Sequence, residues 1–191
     1  MDNQHANCFA LAEALHGAGK GHQLVFGAIL GTGCGGGIVY RGELVSGPQA
    51  IAGEWGHTSI DPNGPVCFCG QRGCVETYIS GSGVTARHVE RYGEVRSFAE
   101  LAEGYYRQEV RAVATMTAFF SQFGRSMANL INVLDPDVVI LGGGLSIFDP
   151  MYSIGVAEVA SRVFSDSFET PIIKHRLGDS AGVIGAALIG V

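Results

Sequence analysis

Basic residues are scarce in this chain. Lys and Arg number 12 against 18 Asp and Glu, and the formal net charge is −6. No run of Lys or Arg occurs, so neither nucleic acid nor an anionic membrane is an expected partner. Charge of either sign is sparse, at 16% of residues, while apolar residues make up 47%. That balance excludes a disordered tail and suits a globular domain with a real core in 191 residues. Long apolar runs are lacking too. The longest uncharged stretch, Gln23 to Tyr40, is broken by glycines and Thr32, which reads as strand, turn, strand and not as a membrane helix. Residues Met1 to Ala10 have no basic stretch leading into an apolar one, so no secretory signal is expected.

Cysteine does not come in an even set. There are five, and three crowd together, which favours a reduced, cytoplasmic protein with a metal site over a disulfide framework. Glycine, by contrast, is abundant at 29 residues. Its runs at Gly31-Thr32-Gly33 and Gly142-Gly143-Gly144 imply close backbone approach to a ligand or between strands.

Apolar spacing predicts an α/β unit in a single domain over 1–191. Helices are expected at Ala6–Ala18, Val110–Leu134, Tyr152–Phe164 and Ala181–Ile189, the last with Gly182 and Gly185 on one face. Strands are expected at Leu24–Leu30, Gly36–Tyr40, Glu43–Val45, Val138–Leu141 and Ile172–Ile173. Between them, Gly47 to Gly73 is irregular and rich in Gly and Pro; so long a segment without pattern in a compact domain is usually functional.

His57, Cys67, Cys69 and Cys74 carry the sharpest chemistry. Three thiolates and one imidazole form a closed tetrahedral set of the kind that holds structural zinc. Gly70 and Gly73 let the loop turn tightly enough for three near neighbours to converge. Spacing alone leaves buried thiols or a Cys67–Cys74 disulfide as alternatives. Cys8 and Cys34 read as small core residues.

The same segment resembles a known family. Glu54-Trp55-Gly56-His57, then Cys67-x-Cys69-Gly70-x-x-Gly73-Cys74-x-Glu76, is similar to the signature of the ROK family of repressors, open reading frames and sugar kinases. Ala6 to Ala14, the turn Leu30 to Gly37, Asp135 to Gly144 and Gly178 to Ala187 extend the likeness over the whole chain. Bacterial N-acetylglucosamine kinases, glucokinases and fructokinase-like members are the nearest in pattern. The resemblance implies the actin-like, ribonuclease-H-like ATPase fold, of which this chain would be the C-terminal domain, with the zinc and sugar-wall loop at 47–76. It implies ATP and Mg2+ as cosubstrate and cofactor, structural zinc, a small sugar as ligand and a dimeric assembly.

Site residues follow from the same match. Asn7, Glu54, His57 and Glu76 are implied to bind the sugar, His57 serving zinc with one ring nitrogen and sugar with the other. A carboxylate suits a polyol because it accepts several O–H bonds. Read without the motif, Glu54 and Glu76 are solvated loop acids. Thr32, Gly33, Gly142, Gly143 and Gly144 are implied to contact the nucleotide; strand packing is the other reading of the glycine run.

Two departures bear on activity. The family's Asp-x-Gly-Gly-Thr phosphate motif, which belongs to an N-terminal nucleotide lobe, occurs nowhere in the chain. At the catalytic base, the family reads Asn-Asp-Ala-Asn where this chain has Gln4-His5-Ala6-Asn7, so His5 stands at the aspartate, with Asp2 three residues away. Phosphoryl transfer relies on positioning and charge neutralisation around an oriented nucleophile. The expectation is a truncated kinase domain that binds sugar weakly and turns over poorly or not at all. The alternatives are a zinc-stabilised binding or dimerisation module without chemistry, and the sensor half of a sugar-responsive repressor, for which no helix-turn-helix is present.

Overall fold

The structure is a computed structural model, and it describes residues 4–178 and 180–189. Asp2 and Asp179 therefore lie outside the described residues, as do Met1, Asn3, Gly190 and Val191.

A five-stranded mixed sheet has the order β3-β2-β1-β4-β5. Strand β1 (Leu24–Leu30) pairs antiparallel with β2 (Cys34–Tyr40), which turns through Arg41-Gly42 into β3 (Glu43–Leu44). On its other side β1 runs parallel to β4 (Val138–Gly142), and β4 parallel to β5 (Ile172–Lys174). Both sheet faces are covered, so β4 is buried along its whole length, as parallel strands under helices must be.

Alternation along β1 and β4 divides the core in two. Phe26, Ala28, Leu30, Val139 and Leu141 pack towards the long helix α5 (Val110–Leu134). Val25, Val138 and Ile140 pack on the opposite face, beneath α1 (Gln4–His16) and α7 (Ser180–Ile189). Helix α1 lies so close to the sheet that a Cβ on Gly27 or Gly37 would stand within 2.8 Å of Ala10 Cβ. At the crossing of α1 and α7, a Cβ on Gly185 would meet the Cys8 carbonyl oxygen at 1.9 Å. Gly182 has no such neighbour within 4 Å, so only one of the two expected glycines is a packing residue.

Between β3 and α5 come α2 (Glu76–Ile79), α3 (Gly81–Tyr92) and α4 (Phe98–Tyr106). Ser80 caps α3 by accepting from Gly83 N, and Ser97 with Glu100 forms a capping box at the start of α4. Helix α5 ends as expected: Asp135 takes a left-handed conformation immediately before Pro136. The helix expected over Tyr152–Phe164 is shorter. A 3-10 turn covers Asp149–Tyr152, and α6 holds only Ile154–Ala160. Ser161 Oγ donates to the Glu158 carbonyl, and serine hydroxyls of this kind compete with helix continuation.

Candidate functional site

Glu54 precedes and His57 closes a single 3-10 turn, Trp55–His57, beside the start of β2. This turn is wedged against the strand, since a Cβ on Gly56 would lie 2.1 Å from the Cys34 carbonyl oxygen. Trp55 is buried edge-on against Phe26, which anchors both neighbours to the core. Glu76 opens α2 and reaches back to β2, where its Oε2 accepts from Cys34 N at 2.8 Å. Two segments distant in sequence thus deliver three polar groups to one place.

These groups line a cavity of about 170 Å³ together with His5 and the turn Gly31-Thr32-Gly33. Glu54, His57 and Glu76 are each half-buried, so they can desolvate a small polyol and still admit it. Cys34 also lines the cavity, and its thiol is buried. Burial, reinforced by the Glu76 and Glu54 carboxylates, pushes it well above the usual thiol range, so it is a neutral wall group and no nucleophile.

A second cavity, about 440 Å³, lies between the end of β4 and α7. Gly143, Gly144, Phe9, His175 and Gly182 line it. His5 and Ile29 belong to both cavities, so His5 stands where the two adjoin. Thr32 and Gly33, expected on the nucleotide, line the smaller cavity on its glycine-turn side. Gly142 is a packing residue: a Cβ there would enter the Phe9 ring at 2.5 Å. Asn7, expected on the sugar, is not among the residues lining the smaller cavity. It backs onto β2 at Gly37, with its Oδ1 buried and without a partner.

Behind the smaller cavity, His57, Cys67, Cys69 and Cys74 present ligand atoms within 4.8 Å of one another. Cys67 Sγ is 3.6 Å from His57 Nδ1, and Cys69 Sγ is 3.6 Å from Cys74 Sγ. A tetrahedral ion with thiolate and imidazole ligands spaces its donors by about 3.5–3.8 Å, so this donor set fits one. All five cysteines are free, which leaves no Cys67–Cys74 disulfide. The loop is shaped by backbone: Gly70 and Gly73 have φ of 88° and 63°, and a Cβ on Gly73 would strike the Asp61 carbonyl oxygen at 1.8 Å. Burial and the neighbouring thiols push Cys74 up to about 12, an unfavourable setting for a thiolate that a cation would reverse. Cys8 and Cys34 are buried, as small core residues should be.

The sequence profile of the ROK family matches residues 2–190. The chain is 38% identical over 195 residues to an N-acetyl-D-glucosamine kinase of Pasteurella multocida, covering 96% of this chain and 64% of that protein. Among solved structures, the ROK hexokinase of Thermus thermophilus superposes with a TM-score of 0.89 at 30% identity, over 96% of this chain and 62% of the other. A ROK glucokinase of Streptomyces griseus, in complex with glucose and AMPPNP, gives 0.85 at 28% identity, over 97% and 66%. This chain therefore spans just under two thirds of the length of each of these relatives. With the profile match over nearly every residue, and the same mixed sheet and helices in the superposed kinases, the chain belongs to the ROK family.

Proposed function

We propose that this chain carries the sugar-binding and zinc-binding portion of an ATP-dependent hexose or N-acetylhexosamine kinase, with N-acetylglucosamine as the favoured sugar. The observation that carries the reading is the junction at His5. A small cavity that carries Glu54, His57 and Glu76 on its wall adjoins a larger, glycine-floored cavity, and one titratable side chain belongs to both. A sugar hydroxyl and a terminal phosphate need such a meeting point, since transfer requires the two to be held in line.

In this reading Glu54 and Glu76 accept sugar O–H bonds. His57 donates or accepts through the ring nitrogen that faces the cavity. His5 receives the proton of the attacking hydroxyl in place of a carboxylate. Gly143 and Gly144 lie against the nucleoside, and Thr32 and Gly33 border the transferred phosphoryl group. Mg2+ bound with the nucleotide would neutralise phosphate charge. His57, Cys67, Cys69 and Cys74 would hold zinc, which would order the 47–76 loop and fix the imidazole, so metal and sugar would share one residue. Support for N-acetylglucosamine comes from the Pasteurella multocida relative and others of the same printed name. Thiols of this kind persist in a reducing compartment, which favours a cytoplasmic setting; among the described residues no helix is long and apolar enough to cross a membrane.

Trp55 is the only tryptophan and lies between Glu54 and His57, so its fluorescence reads the site directly. Titration with N-acetylglucosamine is expected to give a saturable change that Glu54→Ala removes. An unresponsive wild-type protein, or a Glu54→Ala variant with unaltered affinity, would refute the reading. A polypeptide of these 191 residues alone is expected to show binding without ADP release in a coupled assay, because no Asp-x-Gly-Gly-Thr occurs in it.

A further inference from the structure

Between α3 and α5 lies a cavity of about 270 Å³ that shares no residue with the sugar cavity or with the glycine-floored one. Its walls are of two kinds. Val84, Ala118 and Phe119 are apolar, whereas Arg87, Glu90, Arg91 and Gln122 are polar. Thr115 lines it too, but its hydroxyl is spent, donating to the Arg111 carbonyl at 3.0 Å and meeting His88 Nδ1 at 2.8 Å.

The polar side is not satisfied from within the protein. Arg87 spends Nη1 on Glu90 at 2.8 Å, which cancels one charge of each sign. Arg91 keeps its charge. Among the described residues no carboxylate pairs with it, and its guanidinium stacks only on the Tyr92 ring, at 5.3 Å. Two cations against one anion leave the wall one positive charge in excess. Two further atoms on residues of this wall, Arg87 Nε and Gln122 Oε1, are covered by protein and have no hydrogen-bond partner. Buried polar atoms in that state are rare, because each forgoes a bond that water would have supplied.

We propose that this cavity is an effector site for a small organic monocarboxylate with an apolar body. The Arg91 guanidinium takes the carboxylate in its planar fork, Arg87 lends a second donor, and the apolar body lies on Val84, Ala118 and Phe119. Free phosphate fits poorly, since it would leave the apolar wall uncovered and bring more charge than one cation balances. Tyr78 is what makes the site regulatory. It lines the cavity, and its hydroxyl donates to Asp61 Oδ2 at 2.8 Å within the metal loop. The seat there is tight: a Cβ on Gly64 would stand 2.3 Å from the Tyr78 oxygen. Tyr78 also belongs to α2, the helix that Glu76 opens. A ligand packed on Tyr78 therefore holds the loop in place.

The zinc-loaded protein is titrated by calorimetry with 3-phenylpropionate, with the neutral 3-phenylpropanol and with inorganic phosphate; no readout involves a sugar. Saturable binding of 3-phenylpropionate to one site per chain is expected. The alcohol should bind more weakly by about tenfold or more, the worth of one charge-assisted hydrogen bond, and phosphate more weakly still. Arg91→Ala is expected to erase the preference for the carboxylate, and Arg87→Ala to reduce it. Limited proteolysis then reads the loop. The carboxylate is expected to slow cleavage within Gly47–Glu76 in the wild type and to leave it unchanged in Tyr78→Phe, which still binds. No binding of 3-phenylpropionate at millimolar concentration would overturn the proposal. So would a carboxylate preference that survives both arginine substitutions, or phosphate binding of equal strength. Binding without protection of the loop, or equal protection in Tyr78→Phe, would overturn the effector role.

Discussion

Glu13 has no exposed surface, yet its carboxylate accepts from Ala18 N at 2.8 Å, Arg176 N at 3.0 Å and Leu177 N at 2.7 Å. It fastens the end of α1 to the segment between β5 and α7. Removing it strands three backbone donors, each worth about 1–3 kcal/mol when left unsatisfied. Glu13→Ala is therefore expected to destabilise the fold by on the order of 3 kcal/mol or more, read as a lower urea midpoint; an unchanged midpoint would count against this. Nothing in the sequence marks Glu13, which reads as an ordinary helix acid, because two of its three partners lie more than 160 residues away. The cysteine cluster was legible for the opposite reason: its thiols are close in sequence and their geometry is set by two glycines. Cys69→Ser removes one ligand of the proposed zinc, whose binding energy is on the order of 10 kcal/mol. Limited proteolysis of that variant is expected to cut first within Gly47–Glu76, and cleavage spread evenly over the chain would contradict the loop's dependence on metal.

At the scale of elements, the parallel pair β1 and β4 is joined by one acid. Asp137 accepts from Gln23 N and Leu24 N at 2.7 and 2.8 Å, and these backbone bonds hold its carboxyl below the usual carboxylate range. A depressed folded-state value contributes stability above the unfolded pKa of about 3.9, and this is lost as pH falls through the folded value. Asp137→Asn should thus lower stability at neutral pH, with the gap to wild type narrowing below about pH 4; a gap independent of pH would contradict the assignment. The strands were readable because β1 and β4 are buried on both faces and show it as unbroken apolar runs. Helices α3 and α4 went unread: the Ser97 and Glu100 capping box was a legible start for α4, whereas α3 opens Gly81-Ser82-Gly83 and has few apolar residues among Arg87, Glu90 and Arg91, so the Ser80 cap and packing on α5 decide the structure there. The site shows the same division. Glu54, His57 and Glu76 were found through a motif and are brought together. That Thr32 and Gly33 line the smaller cavity, and that Gly142 packs on Phe9, depends on how a turn and an aromatic ring meet in three dimensions.

For the whole molecule, self-association is expected. Phe119, an apolar residue beside the main stripe of α5, is 2% exposed and belongs to the core. Exposed apolar side chains are found instead at Val110 and Val133, at the two ends of α5, and at Phe164, each more than 80% exposed. Light scattering at high micromolar concentration is expected to report a dimer, the commonest closed assembly, and a monomer would contradict this. The sugar wall and the metal loop are proposed to be a single device, coupled through His57. The measurement that tests this most directly is the Trp55 fluorescence titration with N-acetylglucosamine, run on zinc-loaded protein, on protein stripped by chelator, and on stripped protein resupplied with zinc. Saturable binding that is lost on stripping and restored by zinc is the predicted result. Identical affinity in the stripped protein, or no saturable change in the loaded one, would contradict it.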